Sequence, residues 1–218
     1  MSALARYFHN KGCAVSGYDK TPSPLTKKLE EEGIFIHYED NPELIPSEID
    51  FVILTPAIPS DLLELNYLRD RGVKMIKRAQ VLGEISRQCK SVAVGGSHGK
   101  TTVTALITHM LHYAQKPMSA FVGGIAKNIN SNVIIGDEND EIVVMEADEF
   151  DRSFLQLFPE IAVITSMDAD HLDIYSDISN MYDAFKAFAG QVSGTVITKL
   201  GLSICQEDTK ADILRYSY

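Results

Sequence analysis

A glycine-rich loop between a short apolar run and a helical run is the feature that most constrains the fold of this chain. The apolar run 91–94 leads into the segment GGSHGKTT at residues 95–102, and a helical pattern continues from Thr101 to about Tyr113. When a strand, a glycine-rich loop and a helix follow one another, backbone N–H groups at the helix N-terminus point at bound phosphate oxygens. The sequence therefore predicts an α/β domain that binds nucleotide phosphates.

Three residues of this loop match the parts of a P-loop. Gly99 permits the tight turn, Lys100 reaches the β- and γ-phosphates, and the hydroxyl of Thr101 can ligate Mg²⁺. The usual spacing would place the first glycine at position 94, where this chain has Val94, so the loop is a variant. The alternative is an ordinary glycine turn with an exposed lysine. The strand before the loop and the helix after it favour phosphate binding.

Short β-rich runs alternate with helix-length amphipathic runs, which is typical of βαβ units around a mostly parallel sheet. We expect a Rossmann-like unit at residues 1–88 and a P-loop domain at residues 89–218, divided within the polar segment 88–90. Asp61 is the predicted N-cap of a helix that ends at Gly72. The predicted helices are 2–9, 24–32, 61–71, 78–88, 101–113 and 178–188, and the predicted strands are 13–18, 34–37, 51–54, 73–76, 91–94, 120–122, 133–135, 142–146, 161–165, 195–198 and 211–218.

Charge and composition exclude several classes of protein. The net charge of −10 argues against nucleic acid as the main partner, because binding to a phosphate backbone needs a cationic surface. Cys13, Cys89 and Cys205 are far apart in sequence, which favours a reducing compartment, inert buried thiols and no disulfide. No apolar run is long enough for a membrane helix, and the first residues lack the apolar core of a signal peptide. We therefore expect no membrane insertion and a cytoplasmic location.

Carboxylates follow the apolar strand 143–145, at the edge where α/β sheets place their ligands. Glu146 continues the apolar run and is a candidate metal ligand. For Asp148, Glu149 and Asp151, each taken singly, a solvated acidic loop is the safer interpretation.

A second acidic segment, DADHLD at residues 168–173, follows the strand 161–165. A lone histidine is more often structural, but His171 lies between aspartates at a second strand end and is therefore a candidate ligand. His9, His37, His109 and His112 have no such surroundings and are interpreted as structural.

Two loops of the first unit are weaker candidates. Asp19 ends the strand at which a dinucleotide-type fold places an acidic residue against a ribose hydroxyl, but no glycine fingerprint precedes it. The loop 55–59 follows another strand and contains two prolines, so it is either a binding loop or a rigid turn.

These segments together resemble the Mur ligases, which are ATP-dependent amide ligases of peptidoglycan precursor synthesis. The loop GSHGKTT at 96–102 is similar to the family's G-T-x-G-K-T, which also lacks the usual first glycine. Two further blocks look like those of the members that join L-alanine to UDP-N-acetylmuramate: EADEFD at 146–151 with Ser153-Phe154, and DHLD at 170–173. His98, before the loop glycine, is also typical of those members. The opening MSALARYF is similar to the stretch after the family's N-terminal glycine loop. The resemblance covers nearly all of the chain.

The resemblance implies a Rossmann-like unit for the UDP-sugar, a central P-loop ATPase domain and a third domain that helps to bind ATP and the amino acid. Relative to this plan, we expect the chain to lack the first strand with its glycine loop and the third domain. As it stands, the chain is then expected to be inactive. The family plan leaves the oligomeric state open.

The resemblance also assigns residues to ligands. Thr101, Glu146 and His171 would hold Mg²⁺, and Lys100, Glu146 and His171 would be catalytic. The ATP phosphates would be bound by Gly96, Ser97, His98, Gly99, Lys100, Thr101 and Thr102. The uridine would lie near Asp19, Ala57 and Ile58, and the muramoyl group near Gly123, Gly124 and Asn128. Phe150 and Arg152 replace small or polar residues that are common in the family's acidic block.

The implied activity is ATP-dependent ligation of L-alanine to UDP-N-acetylmuramate through an acyl phosphate. One alternative is the related ligase that reattaches a recovered peptide to UDP-N-acetylmuramate. Folylpolyglutamate synthetase would leave the first unit unexplained. A plain P-loop hydrolase or kinase, and a non-catalytic nucleotide-binding fragment, are alternatives of other classes.

Overall fold

The computed structural model describes residues 1–55, 57–126, 131–136, 142–168 and 178–217. The chain divides into two compact units, Met1–Val81 and Leu82–Tyr218. The division falls within a helix, whereas the sequence pattern places it at 88–90.

The first unit alternates helices and short parallel strands. Its elements are α1 (Ser2–Asn10), β1 (Ser16–Tyr18), α2 (Pro24–Glu31), β2 (Phe35–His37), a 3₁₀ turn (Pro42–Leu44), β3 (Phe51–Leu54), α3 (Leu63–Asp70) and β4 (Lys74–Lys77), and α4 (Arg78–Gln88) follows. β1 pairs with β2, and β3 pairs with β4, both in parallel. β1 begins later than predicted because the N–H of Cys13 bonds the carbonyl of Phe8 and so belongs to the turn that ends α1.

Local sequence determines both ends of α2. Ser23 accepts a hydrogen bond from the N–H of Thr26, Thr26 accepts one from the N–H of Ser23, and Pro24 occupies the first turn. Gly33 follows the helix at φ 90°, which ends it as predicted.

The start of α3 differs from the prediction. The helix begins at Leu63, and its N–H groups at Leu63 and Glu64 donate to the carboxylate of Asp40 at 2.8 and 2.9 Å. The prediction that Asp61 caps this helix is therefore wrong. A carboxylate more than twenty residues upstream does so instead, and no local pattern indicates it.

The second unit is built on a seven-stranded sheet. Its elements are β5 (Lys90–Gly95), α5 (Lys100–Tyr113), β6 (Met118–Ala126), β7 (Ser131–Ile134), β8 (Ile142–Glu146), a 3₁₀ segment (Phe150–Gln156), β9 (Ile161–Ile164), α6 (Ile178–Gly190), β10 (Thr195–Lys199), a 3₁₀ turn (Gln206–Asp208) and β11 (Asp212–Tyr216). The strand order is β11-β10-β9-β5-β8-β6-β7, and only the β6–β7 pair is antiparallel among the described strands. The predicted α/β class with mostly parallel sheets is confirmed.

The strand order brings three strand ends together. β5 is the central strand and pairs in parallel with β8 on one side and β9 on the other. The carboxyl ends of all three strands therefore lie at one edge of the sheet, where open α/β sheets bind ligands.

The core beneath this edge is apolar and closely packed. Ala93, Val94 and Met145 are fully buried in the central strands. Phe154 contacts Phe185 and Phe188 of α6 at ring-centroid distances of 5.2 and 5.1 Å. This cluster anchors the 3₁₀ segment that follows β8.

None of the three cysteines forms a disulfide, and they are less buried than predicted. Cys13 and Cys205 are exposed and Cys89 is half-buried. The thiol of Cys205 donates to the carboxylate of Asp208 at 3.0 Å, and this hydrogen bond raises the pKa of the thiol. None of the helices in the described ranges is long and apolar enough to cross a membrane.

Candidate nucleotide-binding site

The loop after β5 has the backbone of a phosphate cradle. Gly96 and Gly99 have φ angles of 135° and 81°, which favour glycine. A Cβ on Gly96 would lie 2.2 Å from Thr165 Oγ1, so no larger residue fits without movement of the loop. Gly99 precedes the first turn of α5, whose N–H groups are directed toward the loop.

Residues after β9 hold this loop in place. The Thr165 hydroxyl lies within hydrogen-bond distance of the Gly95 and His98 carbonyl oxygens. Ser166 Oγ accepts the His98 N–H at 2.9 Å, and the Ser97 hydroxyl donates to the Asp168 carbonyl at 2.8 Å. Thr165 and Ser166 carry no local sequence signal for this role, because it depends on the pairing of β5 with β9.

The loop lysine is already paired. Lys100 Nζ donates to the Gly96 carbonyl at 2.8 Å and lies 2.9 and 2.7 Å from the two carboxylate oxygens of Glu149. Glu149 is only 1% exposed. The interpretation of Glu149 as part of a solvated loop is therefore wrong, whereas Asp148 beside it is exposed as expected.

Glu146 lies at the carboxyl end of β8, as its place after an apolar run predicts. Its Oε1 accepts the Thr101 hydroxyl at 3.0 Å, and its Oε2 accepts the Gly123 N–H at 2.9 Å. A Cβ on Gly123 would lie 2.7 Å from the carboxylate, so this position of Glu146 depends on a glycine in β6. The structure thus brings Thr101, Glu146 and Gly123 together, with Gly124 next in the strand.

Other predicted residues of the loop are more exposed. The His98 side chain is 63% exposed, and its Nε2 lies 3.9 Å from the exposed carboxylate of Asp168. Thr102 is exposed in the first turn of α5. Both positions are open to a ligand at the helix N-terminus.

The oxygen atoms beside the loop suit a magnesium ion. Mg²⁺ prefers oxygen ligands and usually binds through one or two carboxylates together with substrate phosphates. The Glu146 carboxylate and the Thr101 hydroxyl offer such oxygen ligands, and the two groups already lie in contact. The described residues contain no group of three or more His, Cys, Asp or Glu side chains that could hold a metal by themselves. His171, the third predicted ligand, lies outside the described residues.

The residues predicted to contact UDP lie in the first unit. The Asp19 N–H bonds the His37 carbonyl at 3.1 Å, and its exposed carboxylate accepts the Thr21 N–H at 3.2 Å. Ala57 and Ile58 lie in a turn in which their N–H groups bond Thr55. These three residues follow β1 and β3 as predicted, and their ligand roles stay predictions. Asn128 lies outside the described residues.

A glycine loop that follows the central strand of a parallel sheet, opens a helix and carries a lysine defines a P-loop nucleotide-binding protein of the α/β class. Residues 1–90 match the Mur ligase family catalytic domain, and residues 94–215 match the Mur ligase middle domain. The chain belongs to the Mur ligase family, and the resemblance seen in its motifs is confirmed.

Curated relatives are similar over most of the chain. A UDP-N-acetylmuramate–L-alanine ligase from Cytophaga hutchinsonii is 47% identical over 213 residues, which cover 94% of this chain and 46% of the relative. One from Flavobacterium johnsoniae is 53% identical over 196 residues, which cover 88% of this chain and 43% of the relative. The chain thus spans about half the length of the curated relatives it matches.

Solved structures share the fold. The UDP-N-acetylmuramate–alanine ligase MurC from Thermotoga maritima has a TM-score of 0.82 and 26% identity, and the match covers 100% of this chain and 50% of that one. The UDP-N-acetylmuramate:L-alanyl-γ-D-glutamyl-meso-diaminopimelate ligase from Neisseria meningitides has a TM-score of 0.85 and 22% identity, covering 99% and 74%. At 22% identity, the second likeness supports the fold alone.

Proposed function

We propose that this chain supplies the UDP-sugar-binding and ATP-binding parts of a UDP-N-acetylmuramate–L-alanine ligase. The contact of Thr101 with Glu146, beside the paired lysine of the P-loop, is the observation that carries the ATP-binding part. The choice of L-alanine rests on the curated relatives, which carry that name at 47% and 53% identity.

The chain's residues would act on the phosphates of ATP. A lactyl carboxylate oxygen of UDP-N-acetylmuramate attacks the γ-phosphorus, and the bond to ADP breaks. The Lys100 ammonium and the N–H groups at the start of α5 stabilise negative charge on the transferred oxygens. The alanine amine then attacks the carbonyl carbon of the acyl phosphate, loses a proton and displaces phosphate, which leaves the amide.

Magnesium would be held by Thr101, Glu146 and His171. Bound there, it would neutralise charge on the phosphate oxygens. The Glu146 carboxylate accepts hydrogen bonds from the Thr101 hydroxyl and the Gly123 N–H, and its contact with Thr101 supports this assignment.

The first unit would bind the uridine part of the substrate. Asp19, Ala57 and Ile58 follow the carboxyl ends of parallel strands, where such folds bind nucleotides. Gly123, Gly124 and Asn128 would lie near the muramoyl group, and the N–H of Gly123 contacts the carboxylate of Glu146.

The second candidate is the ligase that attaches a recovered peptide to UDP-N-acetylmuramate. The likeness to the Neisseria meningitides ligase shows that this fold also occurs in such a ligase, and it supports the shared fold alone. It would use the same loop, lysine and carboxylate, so the two functions differ in the acceptor.

The deciding experiment measures ATP turnover and amide formation with L-alanine or with a tripeptide as acceptor. It is run on the chain as printed and on a version extended to the relatives' length. Turnover that requires both UDP-N-acetylmuramate and L-alanine in the extended version supports the proposal. Turnover with UDP-N-acetylmuramate and the tripeptide, but not with L-alanine, favours the second candidate. Turnover without the UDP-sugar indicates a P-loop hydrolase.

A further inference from the structure

Glu149 is a buried carboxylate for which the proposed reaction assigns no role. It is 1% exposed, and both of its oxygens lie within 2.9 Å of Lys100 Nζ. The side chain of Lys100 is only 14% exposed. The pair is therefore largely buried, and water and salt screen the attraction between the two charges only weakly.

The backbone around Glu149 is fixed by its neighbours. The Asp148 carbonyl accepts the Phe154 N–H and the Ser153 hydroxyl, each at 3.0 Å. The Glu149 carbonyl accepts the Arg152 N–H, also at 3.0 Å. Phe154 is fully buried against α6, so this turn is anchored in the core and directs Glu149 toward the loop.

The lysine ammonium has three N–H donors, and two of them already bond the Gly96 carbonyl and the Glu149 carboxylate. Phosphate oxygens that approach Lys100 must share the ammonium with a carboxylate, and they are repelled by that carboxylate's charge. We propose that Glu149 is a positioning residue, and this inference rests on the proposed nucleotide site. It holds the Lys100 ammonium at the loop and, as its buried counter-ion, weakens ground-state binding of nucleotide phosphates.

This arrangement has a clear chemical use. Binding energy that acts equally on the ground state and the transition state does not raise the rate of the chemical step. Phosphate oxygens gain the full charge of Lys100 only where they displace Glu149 from the ammonium, so the counter-ion limits how much that charge stabilises the ground state.

The affinity test compares Glu149→Gln with Asp148→Asn. Each variant removes one carboxylate charge, but Asp148 is exposed and Glu149 is buried. The Kd for ATP is measured by calorimetry without Mg²⁺, so that no turnover occurs. We expect Glu149→Gln to bind ATP about tenfold more tightly and Asp148→Asn to differ from the parent by less than about twofold. A Kd for Glu149→Gln that equals or exceeds that of the parent overturns the inference.

A second measurement tests the pair without any ligand. Lys100→Met leaves the Glu149 carboxylate buried without its counter-ion, which is strongly unfavourable. We therefore expect Lys100→Met to lower the Tm of the ligand-free protein and Lys100→Met/Glu149→Gln to recover most of that loss. A double variant as unstable as Lys100→Met overturns the inference, even if Glu149→Gln alone does not fold.

The two proposals fail in distinguishable ways. If the parent protein binds no ATP either with or without Mg²⁺, the proposed function fails, and the inference about Glu149 fails with it. If the parent binds ATP and Glu149→Gln behaves like Asp148→Asn, only the role of Glu149 is rejected.

Discussion

Thr101 Oγ1 donates a hydrogen bond of 3.0 Å to Glu146 Oε1, across 45 residues of sequence. The bond joins the first turn of α5 to the carboxyl end of β8. It places a hydroxyl and a carboxylate side by side at the sheet edge that carries the glycine loop. Oxygen ligands of this kind, beside a phosphate-binding loop, suit Mg²⁺.

Replacing Glu146 tests this metal site. Glu146→Ala removes the carboxylate, and we expect the Mg²⁺ concentration for half-maximal ADP formation to rise about tenfold or more. The measurement is a Mg²⁺ titration of ADP formation in the protein extended to the relatives' length. Asp148→Ala is the matched control, because it removes an exposed carboxylate two residues away. An unchanged titration for Glu146→Ala would count against metal ligation.

Gly123 tests whether the position of Glu146 matters. Gly123→Ala places a Cβ 2.7 Å from the Glu146 carboxylate and should displace it, so the same titration should shift in the direction of Glu146→Ala. Asp148→Ala serves again as the control, because it leaves both Gly123 and Glu146 in place. If both alanine variants show the parent's Mg²⁺ requirement, Gly123 does not hold Glu146 in a functional position.

Gly83 tests the packing of α4 against the segment after β8. Alanine in a helix interior is usually more stable than glycine by about 1 kcal/mol. A Cβ on Gly83 would lie 2.2 Å from the Gln156 carbonyl oxygen, so we expect Gly83→Ala to destabilise the fold by about 1–3 kcal/mol. Urea unfolding measures the change, with exposed Glu84→Ala as the control on the same helix. A stabilised Gly83→Ala would show that this close approach does not exist.

The first unit contains a buried polar pair that should carry stability. Glu64 Oε1 lies 2.7 Å from His37 Nε2 and accepts the Asn41 N–H at 3.0 Å. Glu64→Ala removes the acceptor for both groups and should cost about 1–3 kcal/mol of unfolding free energy. Exposed Glu43→Ala serves as the control in the same unfolding experiment. Equal stability of the two variants would contradict a structural role for the pair.

Local patterns predicted the parts of the fold that depend on neighbouring residues. The glycine loop follows from the apolar run of β5, which ends in glycines. The position of Glu146 follows from the apolar run of β8, which ends in that carboxylate. β9, on the other side of β5, is likewise a short apolar run. The capping of α2 by Ser23 and its end at Gly33 are local for the same reason.

The missed features depend on contacts that are distant in sequence. Glu149 reads as one of several acidic residues in a loop, and only the anchoring of Phe154 against α6 buries it beside Lys100. Thr165 and Ser166 support the loop because β9 pairs with β5. Asp40 replaces Asp61 as the cap of α3 because tertiary structure brings it to the helix start.

The proposed ligase reaction depends on the action of Lys100 on the phosphates of ATP. The most direct test is the rate of ADP formation with UDP-N-acetylmuramate and L-alanine, for the protein extended to the relatives' length and for its Lys100→Ala variant. We expect the parent to sustain steady-state ADP formation only when both substrates are present, and Lys100→Ala to form no ADP above background. Normal turnover in Lys100→Ala would show that Lys100 does not have this role.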